Sequence, residues 1–219
     1  MAIEDFSADF YGQLAQVMKA LSNSARLEIL VVLAQGERTV DAVATEMRLS
    51  LPSASQHLQK LLQAGLVEVR KSGIHVHYRL ADESVIHLIN AATEIAKSRL
   101  AKFREVIDTY LRARDSMEPI NADELLTRMQ SNSVTIIDAR AVEEYQSGHL
   151  PGAINLPYWE IDPLQIQLPA DQEIVAYCRG PYCILSHETV ARLRGLGFSV
   201  RRLRDGYPEW RARGYPVVN

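Results

Sequence analysis

LSLPSASQHLQKLLQAGLVEVRKSGIHVHYRL, residues 49–80, holds a break, a helix, a stop and a hairpin in that order. Leu49-Ser50-Leu51-Pro52 reads as the break, since Pro52 lacks a backbone donor and restricts the residue before it. Ser53-Ala54-Ser55-Gln56 has the spacing of a capping box, so a helix is expected from Ala54 to about Ala64, stopped by Gly65. Val67 to Arg70 and His75 to Leu80 alternate as strands around Lys71-Ser72-Gly73, a hairpin signal.

Upstream, Leu14, Val17, Met18 and Leu21 recur at helical spacing. Ser22-Asn23-Ser24 offers caps for a second helix from Ala25 to Gln35, stopped by Gly36, and a third runs from about Val40 to Arg48. Downstream, one long helix is expected from about Glu83 to Arg112. Its apolar positions Val85, Leu88, Ile89, Ala92, Ile95, Ala96 and Leu100 form a stripe that calls for a partner helix, most simply from a second copy of the chain. Two helices around a short turn, the second polar, followed by a hairpin make a winged helix-turn-helix. Its second helix would enter a major groove while the hairpin touches the backbone. The expected contacts are Ser53, Ser55, Gln56, Gln59 and Lys60 on the helix, where Gln suits adenine, and Arg70, Lys71, His75, His77 and Arg79 on the hairpin, suited to phosphates.

The whole chain has 219 residues, 47% hydrophobic and 23% charged, with a net charge of −3. That charge argues against a generally basic coat and leaves room for a local basic surface. No apolar run reaches bilayer length, and MAIEDFSADF carries acids where a signal peptide carries bases, so a cytoplasmic protein without a membrane partner is expected. In that reducing compartment the only two cysteines, Cys178 and Cys183, are expected to be reactive rather than structural.

Both lie in a second region with a different rhythm. Residues 1–115 form the first domain, 116–120 a linker, and 121–219 a second domain of strands alternating with helices. Strands are expected at Val134–Asp138, Ile174–Tyr177 and Ser199–Leu203. Helices are expected at Val142–Gln146 and His187–Leu196, stopped by Gly148 and Gly197. The fold class is therefore two domains, a mainly α winged helix and then an α/β domain with a parallel sheet. VAYCRGPYCIL, residues 175–185, places Cys178 where a buried strand enters a loop leading to a helix. The amides of Arg179 to Ile184 are expected to curl around the Cys178 sulfur and hold it as thiolate, the reactive form. Gly180 and Pro181 allow the tight loop, Tyr182 and Ile184 complete it, and Arg179 with Arg192, Arg194, Arg201, Arg202 and Arg204 offers positive potential to an anionic donor. Cys183 has two readings: a small residue filling the helix start, or a resolving thiol that attacks a Cys178 persulfide or sulfenate.

Residues 49–80 and VMKALSNSARLEILVVLAQGERTVDAVA, residues 17–44, resemble the ArsR family of dimeric repressors. The resemblance implies a homodimer, through the first and fifth helices, on a palindromic operator. Metal sensors of that family use cysteines on the third helix or Asp/His pairs on the fifth. Here the third helix has no cysteine and the fifth offers only Asp82 and His87, so no metal site and no cofactor are expected. IIDARAVEEYQSGHLPGAINLP, CRGPYC and LRDGYPEWRARGYPV resemble the rhodanese (sulfurtransferase) domain over about Asn121 to Val218. That resemblance implies that Cys178 takes sulfane sulfur from thiosulfate, persulfide or polysulfide and passes it to a thiol acceptor. It also implies that Asp138 and Arg140 hold the fold beside the loop. Related folds that handle oxyanions use His-Cys-x5-Arg, but Tyr177 and Ile184 stand where His and Arg would be, which removes the bidentate clamp.

The expected function is a sulfur- or redox-responsive DNA-binding regulator whose operator affinity follows the chemistry at Cys178. The alternative is a sulfurtransferase whose winged helix only localises or dimerises it. A metal or arsenic regulator built on two soft ligands ranks below both.

Overall fold

The computed structural model describes residues 3–73, 75–112, 118–164, 166–169 and 172–218. It divides into two compact units, Met1–Ile89 and Asn90–Asn219. The expected linker falls partly outside the described residues, at Ser116 and Met117.

The first unit opens with α1 (Ile3–Leu21) and α2 (Ser24–Leu33). Asn23 begins α2 by accepting the Arg26 N–H at 3.1 Å, which satisfies one of the donors a helix start leaves over. β1 (Arg38–Thr39) leads directly into α3 (Val40–Glu46), capped by Thr39. α4 (Leu51–Gln63) starts earlier than the sequence suggests. Its cap is Ser50, which accepts the Ser53 N–H at 3.4 Å, and not Ser53 itself. Pro52 falls in the first turn, where a missing N–H costs nothing, so the expected break is the helix start.

β2 (Val67–Ser72) and β3 (His75–Leu80) pair antiparallel with Val67 opposite Leu80. Gly73 takes the left-handed turn position at φ 61°. β1 adds to the far side of β3, giving the order β1-β3-β2, a pairing too short to read in advance. Ile29, Leu30, Leu33, Val43, Leu58, Leu61, Val67 and Tyr78 close around Val85 as one core. Each fully buried aliphatic contributes roughly 1.5–3 kcal/mol relative to exposure.

The single long helix expected over Glu83–Arg112 is corrected. α5 (Ser84–Arg99) ends at Leu100, which has extended backbone angles of φ −102° and ψ 110°. The chain then resumes as α6 (Ala101–Ile107) and a π-turn over Asp108–Arg112. Val85 and Ile86 are buried, but Ile95 is 65% and Leu100 56% exposed, so the apolar stripe is covered only at its start.

Beyond Asn121, α7 (Ala122–Gln130), β4 (Val134–Asp138), α8 (Val142–Ser147), β5 (Ile154–Asn155), β6 (Glu173–Tyr177), α9 (Ile184–Gly195), β7 (Val200–Arg202) and α10 (Tyr207–Ala212) follow in order. The strands form a parallel sheet ordered β5-β4-β6-β7. β6 shows why. Val175 and Tyr177 enter a cluster with Leu125 and Trp210, while Ile174 and Ala176 enter another with Val190 and Leu193. Side chains of a strand alternate between faces, so a run apolar at every position is buried on both sides. α7, β5 and α10 were not among the sequence expectations.

Ile120 lies beside β7. Its N–H donates to the Arg202 carbonyl at 2.9 Å, and the Arg204 N–H donates to its own carbonyl at 2.8 Å. Among the described residues, no helix is long and apolar enough to cross a membrane.

Candidate functional site

β6 ends at Tyr177, and Cys178 follows at the carboxyl edge of the sheet. A turn closed by the Cys183 N–H on the Gly180 carbonyl, at 3.1 Å, brings the chain to the start of α9, where Cys183 is the cap residue. The two free thiols are in a weak S–H contact through which each shifts the other's acidity. Cys178 is 1% exposed, and Cys183 is partly exposed.

Their acidities diverge. Burial pushes Cys178 well above the usual thiol range, and its bond to Cys183 pushes it further. Cys183 is brought down to about 6, first by that bond from Cys178, against its own burial, and then by the N–H groups of Arg179, Leu185 and Ser186. A thiolate was expected on Cys178; the environment instead raises Cys178 and lowers Cys183. Unspent amides gather at the start of a helix, and Cys183 occupies that place. At Cys178 the backbone N–H of Arg179 acts against the burial.

The loop between them is held on several sides. The Cys178 carbonyl accepts the Tyr207 N–H at 3.0 Å. Arg179 Nε donates to both oxygens of buried Glu144, at 2.9 and 3.1 Å. Arg202 Nη1 donates to the Pro181 carbonyl at 3.4 Å. Gly206 presses against Gly180 so closely that a Cβ would collide with backbone. Ser186 Oγ donates to the Cys183 carbonyl at 2.9 Å, and Ile184 is 40% exposed at the first turn of α9.

Tyr182 turns outward from the loop. Its hydroxyl donates to Glu94 Oε1 of α5 at 3.2 Å, and its ring meets Phe103 of α6 edge-on at 6.5 Å between centroids. Burial, then the Glu94 charge, pushes the phenol up to about 12, so it stays a donor. On the same helix, Asn90 Nδ2 donates to Glu209 Oε1 at 3.3 Å, while Glu209 Oε2 accepts the Gly206 N–H at 3.0 Å. Burial raises the Glu209 carboxyl above its usual range.

The arginines offered for an anionic donor have partners within the protein. Besides Arg179 on Glu144, Arg201 pairs with Glu173 at 2.8 Å and Arg194 donates to the Val200 carbonyl at 2.8 Å. Arg204 pairs with Glu118 at 3.5 Å, and Arg192 lies over the Tyr158 ring at 5.6 Å. Glu144, Gly206 and Glu209 were not singled out in the sequence, because their partners are distant along the chain.

Beneath the loop, Asp138 and Arg140 are fully buried and paired at 2.6 Å. Tyr177 donates to Asp138 at 2.5 Å, Arg140 donates to the Gly148 carbonyl at 2.7 Å, and the Tyr207 ring stacks 4.2 Å from the guanidinium. Burial opposes the Arg140 charge, but Asp138 outweighs it and its pKa rises. The pair ties β4 to β6.

In the first unit, Gln56, Gln59 and Lys60 stand exposed on α4, with Ser53 and Ser55 half-buried. Gln59 donates to the Tyr78 hydroxyl at 3.2 Å, which anchors α4 to the wing. His57, on the same helix, is held below its usual pKa by burial, then by Arg26 and Lys60. Lys71 is exposed, His77 is half-buried, and the side chain of His75 lies outside the described residues. Arg70 is bound bidentately by Glu37 at 3.1 and 2.7 Å, and Arg79 pairs with Glu68 at 2.8 Å. Glu37, whose carboxyl Arg70 holds below its usual pKa, is a partner that the hairpin sequence does not reveal.

Known proteins match both units. Residues 23–69 match the arsR family of bacterial regulatory proteins, and residues 121–213 the rhodanese-like domain. The HTH-type transcriptional regulator Rv0324 of Mycobacterium tuberculosis is 43% identical, over 97% of this chain and 93% of its own length. The homodimeric winged helix-turn-helix fragment of Mb0332 from Mycobacterium bovis is 42% identical, covering 47% of this chain and 94% of that one, with a TM-score of 0.43. A rhodanese-related protein from Thermoplasma volcanium is 28% identical, covering 47% of this chain and 98% of its own, with a TM-score of 0.40. With a helix-turn-helix and wing in one unit and a strand-end cysteine loop in the other, the chain belongs to the ArsR family of DNA-binding transcriptional regulators, in a form that carries a rhodanese-like domain.

Proposed function

We propose that the chain is a sulfane-sulfur-responsive regulator, in which the Cys178–Cys183 pair takes up sulfur and the change alters operator binding. The observation that carries this reading is the pair of free thiols at the two ends of the loop between β6 and α9, inside a chain whose other unit is a DNA-binding module. Cys178 attacks the outer sulfur of a persulfide RS–SH. Its proton passes to the Cys183 thiolate as the new S–S bond forms, and RS⁻ leaves and is protonated by solvent. Cys178–S–SH results. Cys183, deprotonated again, attacks the inner sulfur and expels HS⁻, leaving a Cys178–Cys183 disulfide. The donor supplies the oxidising equivalents, so no further oxidant enters. Thiosulfate serves in the same way, with sulfite as leaving group.

A homodimer on a palindromic operator belongs to this reading. Phe6, Phe10, Leu14 and Met18 form an exposed apolar row along α1, and Ile95 is exposed on α5. Residues four apart share one helix face, and such a row is buried most simply against a second copy.

The test is operator binding of wild type, Cys178→Ser and Cys183→Ser before and after a polysulfide donor, with mass analysis of the peptide holding both cysteines. Wild type should change affinity as the peptide gains sulfur or loses two hydrogens, and the variants should not respond. A double variant that still responds fully would overturn the reading.

The match of residues 121–213 to rhodanese-like domains favours one other reading, a turning-over sulfurtransferase. It predicts catalytic transfer from thiosulfate to a thiol acceptor and operator binding indifferent to Cys178→Ser.

A further inference from the structure

We infer that Tyr182 is a positioning residue that transmits the state of the thiol loop to helices α5 and α6. The inference rests on the reading above and concerns how that same site regulates DNA binding.

The two halves of the loop are held differently. On the Cys178 side, the backbone is pinned by Tyr207, by Glu144 through Arg179, and by the close approach of Gly206 to Gly180. On the Cys183 side, Tyr182 reaches away to Glu94 and Phe103. A disulfide requires the sulfurs to close from hydrogen-bond contact to ~2.05 Å. With Gly180 held against Gly206 by close backbone approach, while Pro181 is tied by a longer bond from Arg202 at 3.4 Å and Cys183 by one backbone turn bond at 3.1 Å, that displacement falls on the Cys183 side and carries the Tyr182 ring with it. A persulfide, one sulfur longer, pushes the same side outward.

Tyr182 touches α5 and α6 on opposite sides of the Leu100 break: Glu94 lies before it and Phe103 after it. One side chain therefore braces the angle between two helices. Asn90 makes a second tie, to Glu209 at the rim of the same loop, from the same face of α5 one turn earlier. All of these contacts lie within the unit that begins at Asn90. α5 itself is continuous from Ser84, and its first turns supply Val85 and Ile89 to the core that holds α4. The phenol remains a hydrogen donor across the physiological range, so ionisation of Tyr182 does not break the brace.

The experiment compares full-length wild type with Tyr182→Phe, Glu94→Ala and Glu94→Gln, each before and after polysulfide. It reads operator affinity and, in the same samples, the mass of the cysteine peptide. Tyr182→Phe keeps the ring against Phe103 and loses only the hydroxyl. Couplings of this kind commonly amount to roughly 5–150-fold in affinity. Tyr182→Phe and Glu94→Ala should form the sulfur adduct at the wild-type rate yet lose most of the affinity change. Glu94→Gln, which keeps an acceptor oxygen, should restore it. A variant carrying both Tyr182→Phe and Glu94→Ala should be no worse than either single one. Variants that respond as fully as wild type would refute the brace while leaving the sensor reading intact. Slowed adduct formation would also refute it, by placing Tyr182 in the chemistry. A wild type that forms the adduct without any affinity change would sink reading and inference together.

Discussion

Gly206 and Gly180 touch through their backbones: a Cβ on Gly206 would stand 2.2 Å from the Gly180 nitrogen and 2.4 Å from its Cα. Gly206 has ordinary extended angles, φ −103° and ψ −173°, so the requirement for glycine is steric, not conformational. Gly206→Ala should therefore displace the loop and cost about 1–3 kcal/mol, the range for overpacking a tight contact. Thermal unfolding reads the cost. Alkylation of Cys183 reads the displacement, and an unchanged alkylation profile would show that the contact does not set loop geometry.

The acidity of Cys183 depends on its partner. A lowered thiol pKa means that the thiolate persists above about 6 and is lost as pH falls through that value. Iodoacetamide labelling of Cys183 should thus show a midpoint near 6 in wild type. In Cys178→Ala, without the donated S–H, the midpoint should move up towards the ordinary thiol value of ~8.5. A wild-type midpoint already at ~8.5 would contradict the assignment of charge to Cys183.

Replacing Arg140 with Met leaves the Asp138 carboxyl buried and without its cation. Breaking a buried pair from one side typically costs about 3–5 kcal/mol, and urea denaturation should register a loss of that size. Arg79→Ala, which breaks an exposed pair with Glu68, should change stability by less than ~1 kcal/mol. Equal effects from the two would mean that burial is not what makes the Arg140 pair matter.

On the wing, Glu37 holds Arg70, so under the proposed operator reading a DNA phosphate must displace it. Glu37→Gln should strengthen operator binding at low salt and steepen the salt dependence by roughly one phosphate contact, a slope change of ~0.9. Lys71→Ala should do the reverse by a similar amount, uniformly across sequences. Titrations between roughly 50 and 200 mM salt distinguish the two directions.

Local rules carried the sequence reading well where the deciding residues are near neighbours. Gly65 and Gly73 mark their turns, and β6 announces itself by four apolar residues ending at Cys178. They failed where the cause lies elsewhere in the chain. Nothing near Leu100 breaks the helical pattern: no Gly or Pro stands between Glu83 and Arg112, and the break coincides with packing of Glu94 and Phe103 around Tyr182. The start of α4 was misjudged because Pro52 reads as a breaker until its place in the first turn is known. At the site, the cysteine pair was legible from spacing. The division of charge between the two sulfurs was not, because it follows from which one meets the α9 amides and which one is buried. Glu37, Glu144 and Glu209 went unread for a related reason, since each pairs with a residue at least 33 places away in the chain, Arg70, Arg179 and Asn90 in turn.

The short strand bond of Ile120 to the outer side of β7 also governs which fragments of this protein will stay soluble. A sheet margin with unpaired amides is a template for another chain, and here one margin is blunted by a strand of only two residues, β5, while the other is blunted by Ile120. A rhodanese-like fragment cut to begin at Ala122 would bare the β7 margin and tend to aggregate, whereas one beginning at Glu118 keeps it sealed.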